Sequence, residues 1–128
     1  MHQNGKIYAT PFYADQYIEL DPETETTALV GTPLVGNQKF IGTIAHPNGK
    51  IYSSAFVSTQ SAEFDPVTGV AQLIGRTFPT GKKWLGNVLY SNSRIYSPPN
   101  NHNQILMINP SGLSPMSERF LSAFQNKF

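Results

Sequence analysis

Polar and apolar residues alternate along this chain in short runs separated by turn formers. Residues 50–56 run from Lys50 through Ile51 and Tyr52 to Phe56, and residues 70–75 alternate in the same way. A period of two places successive side chains on opposite faces of a strand. The pattern predicts strands over residues 41–46, 50–56, 61–64 and 70–75. Pro47, Asn48 and Gly49 separate the first two, and an Asn-Gly pair supplies the positive φ angles a tight hairpin needs. Asp65, Pro66 and Gly69 separate the last two; the proline presets φ and the glycine accepts a left-handed conformation. Residues 57–60 form a polar loop between second and third strands, and residues 76–83 cross to the next group of strands. No segment sustains a 3.6-residue period. The nearest approach to helical character is 117–125, a short helical turn at most. The chain reads as all-β.

The same four-strand pattern repeats. Asn4, Gly5, Lys6, Ile7 and Tyr8 recur as Asn48, Gly49, Lys50, Ile51 and Tyr52, and again as Asn92, Ser93, Arg94, Ile95 and Tyr96, an offset of 44 each time. Asp21 and Pro22 recur as Asp65 and Pro66, then as Asn109 and Pro110. Gln16, Gln60 and Gln104 form a column. So do Lys39, Lys83 and Lys127, each followed by an aromatic: Phe40, Trp84 and Phe128. Without gaps, residues 1–40 and 45–84 agree at fifteen of forty positions. Residues 41–84 and 85–128 agree at eight of forty-four, so the third unit has drifted. Residues 113–118 lose the apolar alternation of their counterparts, which predicts a weakened or rebuilt terminal strand. The single repeat domain, 1–128, divides into units 1–40, 41–84 and 85–128.

Four antiparallel strands every ~40–45 residues is the spacing of a β-propeller blade. The run from Lys83 through Trp84 and Gly86 to Leu89, then 92–98, then 105–110, resembles the blades of kelch-like and related β-propeller repeat proteins. The resemblance covers essentially the whole chain, though a double-glycine strand is missing and the period is shorter than that of kelch. It implies a fold and is nearly silent on function, because propellers host binding, scaffolding and catalysis alike. Three blades do not close a ring of the usual four to eight. The partners of Ile41, Gly42, Thr43 and Ile44 would lie before Met1, so unit one is expected to lack most of its innermost strand. Two copies joined head to tail would complete a six-bladed ring. A fragment of a longer propeller and a monomeric β-trefoil of three repeats are the alternatives, and both keep the chain all-β.

Composition narrows the chemistry. Nine Lys and Arg against eight Asp and Glu give a net charge of +1, which makes no electrostatic case for nucleic acid or an anionic membrane. Cysteine is absent, so disulfides, thiolate metal sites and cysteine nucleophiles are excluded, while the compartment stays open. No apolar run approaches the ~18 residues that span a bilayer as a helix, and Met1 to Gly5 lacks a signal-peptide pattern. His2, His46 and His102 show no metal-ligand spacing, and there is no nucleophile elbow or glycine-rich phosphate loop. No cofactor is expected.

The columns read first as structure. Tyr8, Tyr52 and Tyr96 are expected to pack between units with their hydroxyls on backbone partners. Phe40, Trp84 and Phe128 are expected to pack as well. Lys6, Lys50 and Arg94 read as rim charges, and Lys39, Lys82, Lys83 and Lys127 as solvated lysines, with a small anion-binding ring as the alternative. Glu19 and Glu63 read as partners of the repeated lysines. Gln16, Gln60 and Gln104 read as hydrogen-bond partners of the loop backbone.

A ligand site is expected where loops gather at one end of the scaffold. Its candidates are Tyr13, Asp15, Gln16, Gln60, Trp84, Asn100, Asn101, His102, Asn103 and Gln104. The sequence thus predicts a non-catalytic binding or assembly module, a homo-oligomer with a protein or glycan ligand. A lectin-like carbohydrate binder, using Asn-rich loops and Trp84 as a stacking face, is one alternative. A propeller hydrolase or lyase is another.

Overall fold

The computed structural model describes residues 1–111 and the strand backbone of 117–122. The expectations for Lys127, Phe128 and residues 113–116 lie outside the described residues. Eleven strands succeed one another in order: β1 (Ile7–Ala9), β2 (Tyr17–Asp21), β3 (Thr26–Val30), β4 (Phe40–Ala45), β5 (Ile51–Ala55), β6 (Ser61–Asp65), β7 (Val70–Ile74), β8 (Val88–Leu89), β9 (Ile95–Ser97), β10 (Gln104–Asn109) and β11 (Ser117–Ser122). The fold is all-β; there is no helix among the described residues, hence none long and apolar enough to cross a membrane.

The strands form three antiparallel meanders: β1-β2-β3, β4-β5-β6-β7 and β8-β9-β10-β11. The strands of the second sheet fall within a residue of their expected positions. Each described strand pairs only inside its own repeat unit. A trefoil needs a barrel closed by strands from different repeats, so that alternative falls.

Two strands depart locally from the pattern of the repeat. β9 stops at Ser97 because Pro98 and Pro99 cannot donate to a ladder; the aligned strand β5 continues to Ala55. β11 is a strand where residues 117–125 suggested a helical turn. It is also displaced. The 44-residue translation of the Phe64–Ala71 pair would set Ile108 opposite Pro115, but Ile108 pairs with Glu118. The ladder is offset by three residues from the register of the repeat.

The sheets stack face to face in chain order. Tyr17 stacks on Phe64 with ring centroids 4.9 Å apart, and Tyr8 meets the same ring edge-on at 5.8 Å. Ile51 and Ala71 complete this first core. The second core joins Tyr52, Ala55 and Ile74 of one sheet to Ile95, Leu106 and Ile108 of the next, closed by Phe78 and Trp84. Each buried aliphatic or aromatic side chain contributes about 1.5–3 kcal/mol relative to exposure.

Candidate functional site: sheet junctions and the loop end

The junctions are built from polar contacts that repeat with the sequence. His2 Nε2 lies 2.9 Å from the Gly49 carbonyl of the next sheet. His46 Nε2 lies 2.8 Å from the Ser93 carbonyl, one unit on. Both rings are buried. In each, Nδ1 accepts a backbone N–H, from Asn4 at 3.2 Å and from Asn48 at 3.1 Å. A carbonyl only accepts and an amide N–H only donates, so Nε2 carries the proton in both rings. Sequence reasoning weighed these histidines for metal binding and triad chemistry, not for a contact between sheets. Their recurrence 44 residues apart was the available signal. Among the described residues no cluster of histidines and acids could hold a metal ion.

A second contact set lies nearer the inner strands. At the first junction Thr10 Oγ1 donates to Ser53 Oγ at 2.6 Å, Tyr17 Oη sits 2.8 Å from the same oxygen, and Thr10 N–H donates to Thr43 Oγ1 at 3.0 Å. At the second, Ser54 bonds Ser97 and Asn87, and Ser97 donates to Asn87 Oδ1 at 2.6 Å. Burial pushes the Tyr17 phenol up to about 12, against the hydrogen bonds from Ser53 and Thr10.

The rim carries a repeated four-residue network. Lys6 donates to Glu19 at 2.6 Å, Tyr8 donates to the other carboxylate oxygen at 2.7 Å, and Asn4 donates to Tyr8 at 2.9 Å. Lys50, Glu63, Tyr52 and Asn48 repeat it. The Lys6 ammonium, then Tyr8, hold the Glu19 carboxyl below its ordinary value. Burial, and then the Glu19 carboxylate, push the Tyr8 phenol up. The expected lysine–glutamate pairing is present. The tyrosine hydroxyls bond side chains rather than the expected backbone. A cleft of about 390 Å³ lies between this second network, Gln60, Gln72 and Pro110 of the following sheet.

The loop end is more ordered than its composition suggested. Gln16 and Gln60 donate to Gly31 and Gly75 carbonyls, each at 2.8 Å, stapling loop to crossover as expected. Lys39 and Lys83 are not solvated: they are 3% and 2% exposed. Lys83 Nζ donates to the carbonyls of Ser58 at 2.8 Å, Phe56 at 3.2 Å and Gly81 at 3.3 Å. Lys39 Nζ donates to Gly36 at 2.5 Å and lies 3.5 Å from Asp15. Their cations stand in for missing ladder donors under the loops, so neither belongs to an exposed anion ring. Burial lowers the Lys83 pKa.

Trp84 is fully buried, donates to the Gln104 carbonyl at 2.9 Å, and packs on Phe78 and His102 at 4.9 and 5.0 Å. It packs as its column predicted, and as a candidate of the ligand site it offers no stacking face. His102 accepts from Gln104 N–H. Asn100 and Asn101 donate backbone N–H groups to Lys83 and Lys82. Tyr13 is exposed and accepts from Gln38 at 2.8 Å; Asn103 is exposed. The ten candidates thus sort into local groups, with Trp84 joined to His102 and Gln104 of the third unit. Gln60 alone among them lines the 390 Å³ cleft.

No protein-family model matches the chain, and no curated protein matches it either.

Proposed function

We propose that the three sheets are β-propeller blades and that the chain is a non-catalytic assembly module, two copies of which close a six-bladed ring. One observation carries this reading. The face that each later sheet presents to its predecessor is buried at Ile51, Ala62, Ile95 and Leu106, all 0% exposed, while the aligned Ile7 and Ile18 of the first sheet are 42% and 40% exposed. Leu29 beside them is 61% exposed. An apolar face that is dry in two copies of a repeat and wet in the third is a docking surface with its partner removed. A second copy supplies a matching face, because its last sheet continues the stack in the same sense.

The working end of such a ring is the loop end, where Tyr13, Asn100, Asn101 and Asn103 are exposed over a scaffold fixed by Lys39, Lys83 and Trp84. The burial of Trp84 removes the stacking platform on which a carbohydrate reading leaned. Sedimentation equilibrium tests the proposal. A species of twice the 14.1 kDa chain mass is expected, and Ile18→Asp is expected to return it to one chain mass. A folded wild-type chain that remains at one chain mass through the micromolar range sinks the reading.

A further inference from the structure

We infer that the contact between copies is a third version of the interior junction, in which Tyr90 replaces the histidine latch and Arg94 pairs with Glu23 of the second copy. The inference rests on the assembly reading above and fixes its register. The interior latches run from His2 to Gly49 and from His46 to Ser93. Tyr90 stands next in the histidine column, 59% exposed, and Gly5 stands first in the acceptor column, also exposed. A tyrosine hydroxyl keeps the single donor that the junction uses.

The hydroxyl column changes on both sides together. Thr10 meets Ser53, and Ser54 meets Ser97. The next pair in that series is Pro98 with Ala9, both exposed. A hydroxyl kept on one side alone would lose its partner on association; losing both leaves an apolar contact with nothing unsatisfied.

The charge moves as well. Lys6 and Lys50 pair with Glu19 and Glu63 inside their own sheets. Met107, buried, occupies that position in the third sheet, and Arg94 has no carboxylate partner among the described residues. At the second junction Pro110, from the turn of the following sheet, lines the cleft with Lys50 and Glu63. The same translation brings Pro22 and Glu23 of an incoming first sheet to Arg94. Glu23 is exposed, and its aligned positions are Val67 and Ser111, so an acid stands at this position only on the sheet that would meet the arginine. An acid missing from one side of the contact and present on the other is charge complementarity between the two open faces.

Charge reversal tests the register. Arg94→Glu and Glu23→Arg each place like charges at both contacts of a two-fold ring, and each is expected to raise the dimer dissociation constant about tenfold. An equimolar mixture of the two variants forms a heterodimer with opposite charges at both contacts, and dimer formation is expected to recover to near the wild-type level. Circular dichroism and melting temperature confirm folding, and Arg94→Gln mixed with the Arg94→Gln/Glu23→Gln double variant, which can form no Arg94–Glu23 pair at either contact, is the control that must not recover. A wild-type dimer indifferent to the reversals, or weakened without recovery on mixing, overturns the register and leaves the assembly reading standing. A monomeric wild type overturns both.

Discussion

Gly42 and Gly86 meet where the inner strands of the second and third sheets converge. A Cβ built on Gly42 would lie 2.5 Å from the Gly86 Cα and 2.7 Å from its carbonyl carbon. Gly42 also has φ +85° and sits at the irregularity between Ile41 and Thr43 in the β4–β5 ladder. Positive φ alone costs a side chain about 1–2 kcal/mol, and the opposing atoms are backbone that cannot swing away. Gly42→Ala is expected to destabilise the chain by about 3 kcal/mol or more in urea unfolding. A loss under ~1 kcal/mol would mean the inner strands are not this close.

The His46 ring bridges two sheets through both nitrogens, so its tautomer is fixed by geometry. ¹⁵N spectra of the ring are expected to show Nε2–H with Nδ1 as acceptor. His46→Ala strands the Ser93 carbonyl and the Asn48 amide, and is expected to cost about 1–3 kcal/mol. The reverse tautomer in the spectra would dismiss the latch.

Tyr17 makes stability fall at alkaline pH. Its folded-state pKa, about 12, lies above the ordinary 10, so the folded chain keeps a proton that the unfolded chain releases. The contribution is complete below pH 10 and is lost as pH rises towards 12, by about 3 kcal/mol in all. Tyr17→Phe removes that slope, and at neutral pH costs about 1 kcal/mol because Thr10 and Ser53 still bond each other. Lys83, whose pKa burial lowers, acts with the opposite sign just below 10.5, so the measurement is the difference between wild type and variant as pH is raised. Parallel curves for the two proteins would contradict the burial of this hydroxyl.

Lys83 holds three carbonyls under one loop. Lys83→Met keeps the aliphatic volume and leaves those acceptors without their donor. A loss of about 2–4 kcal/mol is expected in denaturant unfolding, larger than for an exposed lysine, whose replacement is nearly neutral. An unfolding midpoint shifted by no more than that of Lys82→Met would show the ammonium to be solvated after all.

Period-two alternation and the Asn-Gly and Asp-Pro turns located the second sheet's strands to within a residue, because these are local rules of φ and side-chain direction. The 44-residue repeat assigned Tyr8, Tyr52, Phe40 and Trp84 to the core, since a position that packs in one unit packs in the next. The offset of β11 was not legible: Pro115 in the sequence does not tell at which residue pairing begins. The loop end was misjudged at Lys39 and Lys83 for one reason. Residue type gives an average preference for water, and a lysine whose stem threads beneath a loop to reach carbonyls defies that average.

By itself the sequence determined which segments are strands, where they turn, and which side chains share a face, because those properties arise from bonds and alternation along the chain. Only the tertiary structure decided that His2 and His46 bind across sheets and that Ile7 and Ile18 stay wet where Ile51 and Ala62 are dry, because contact across a junction depends on how whole sheets stack.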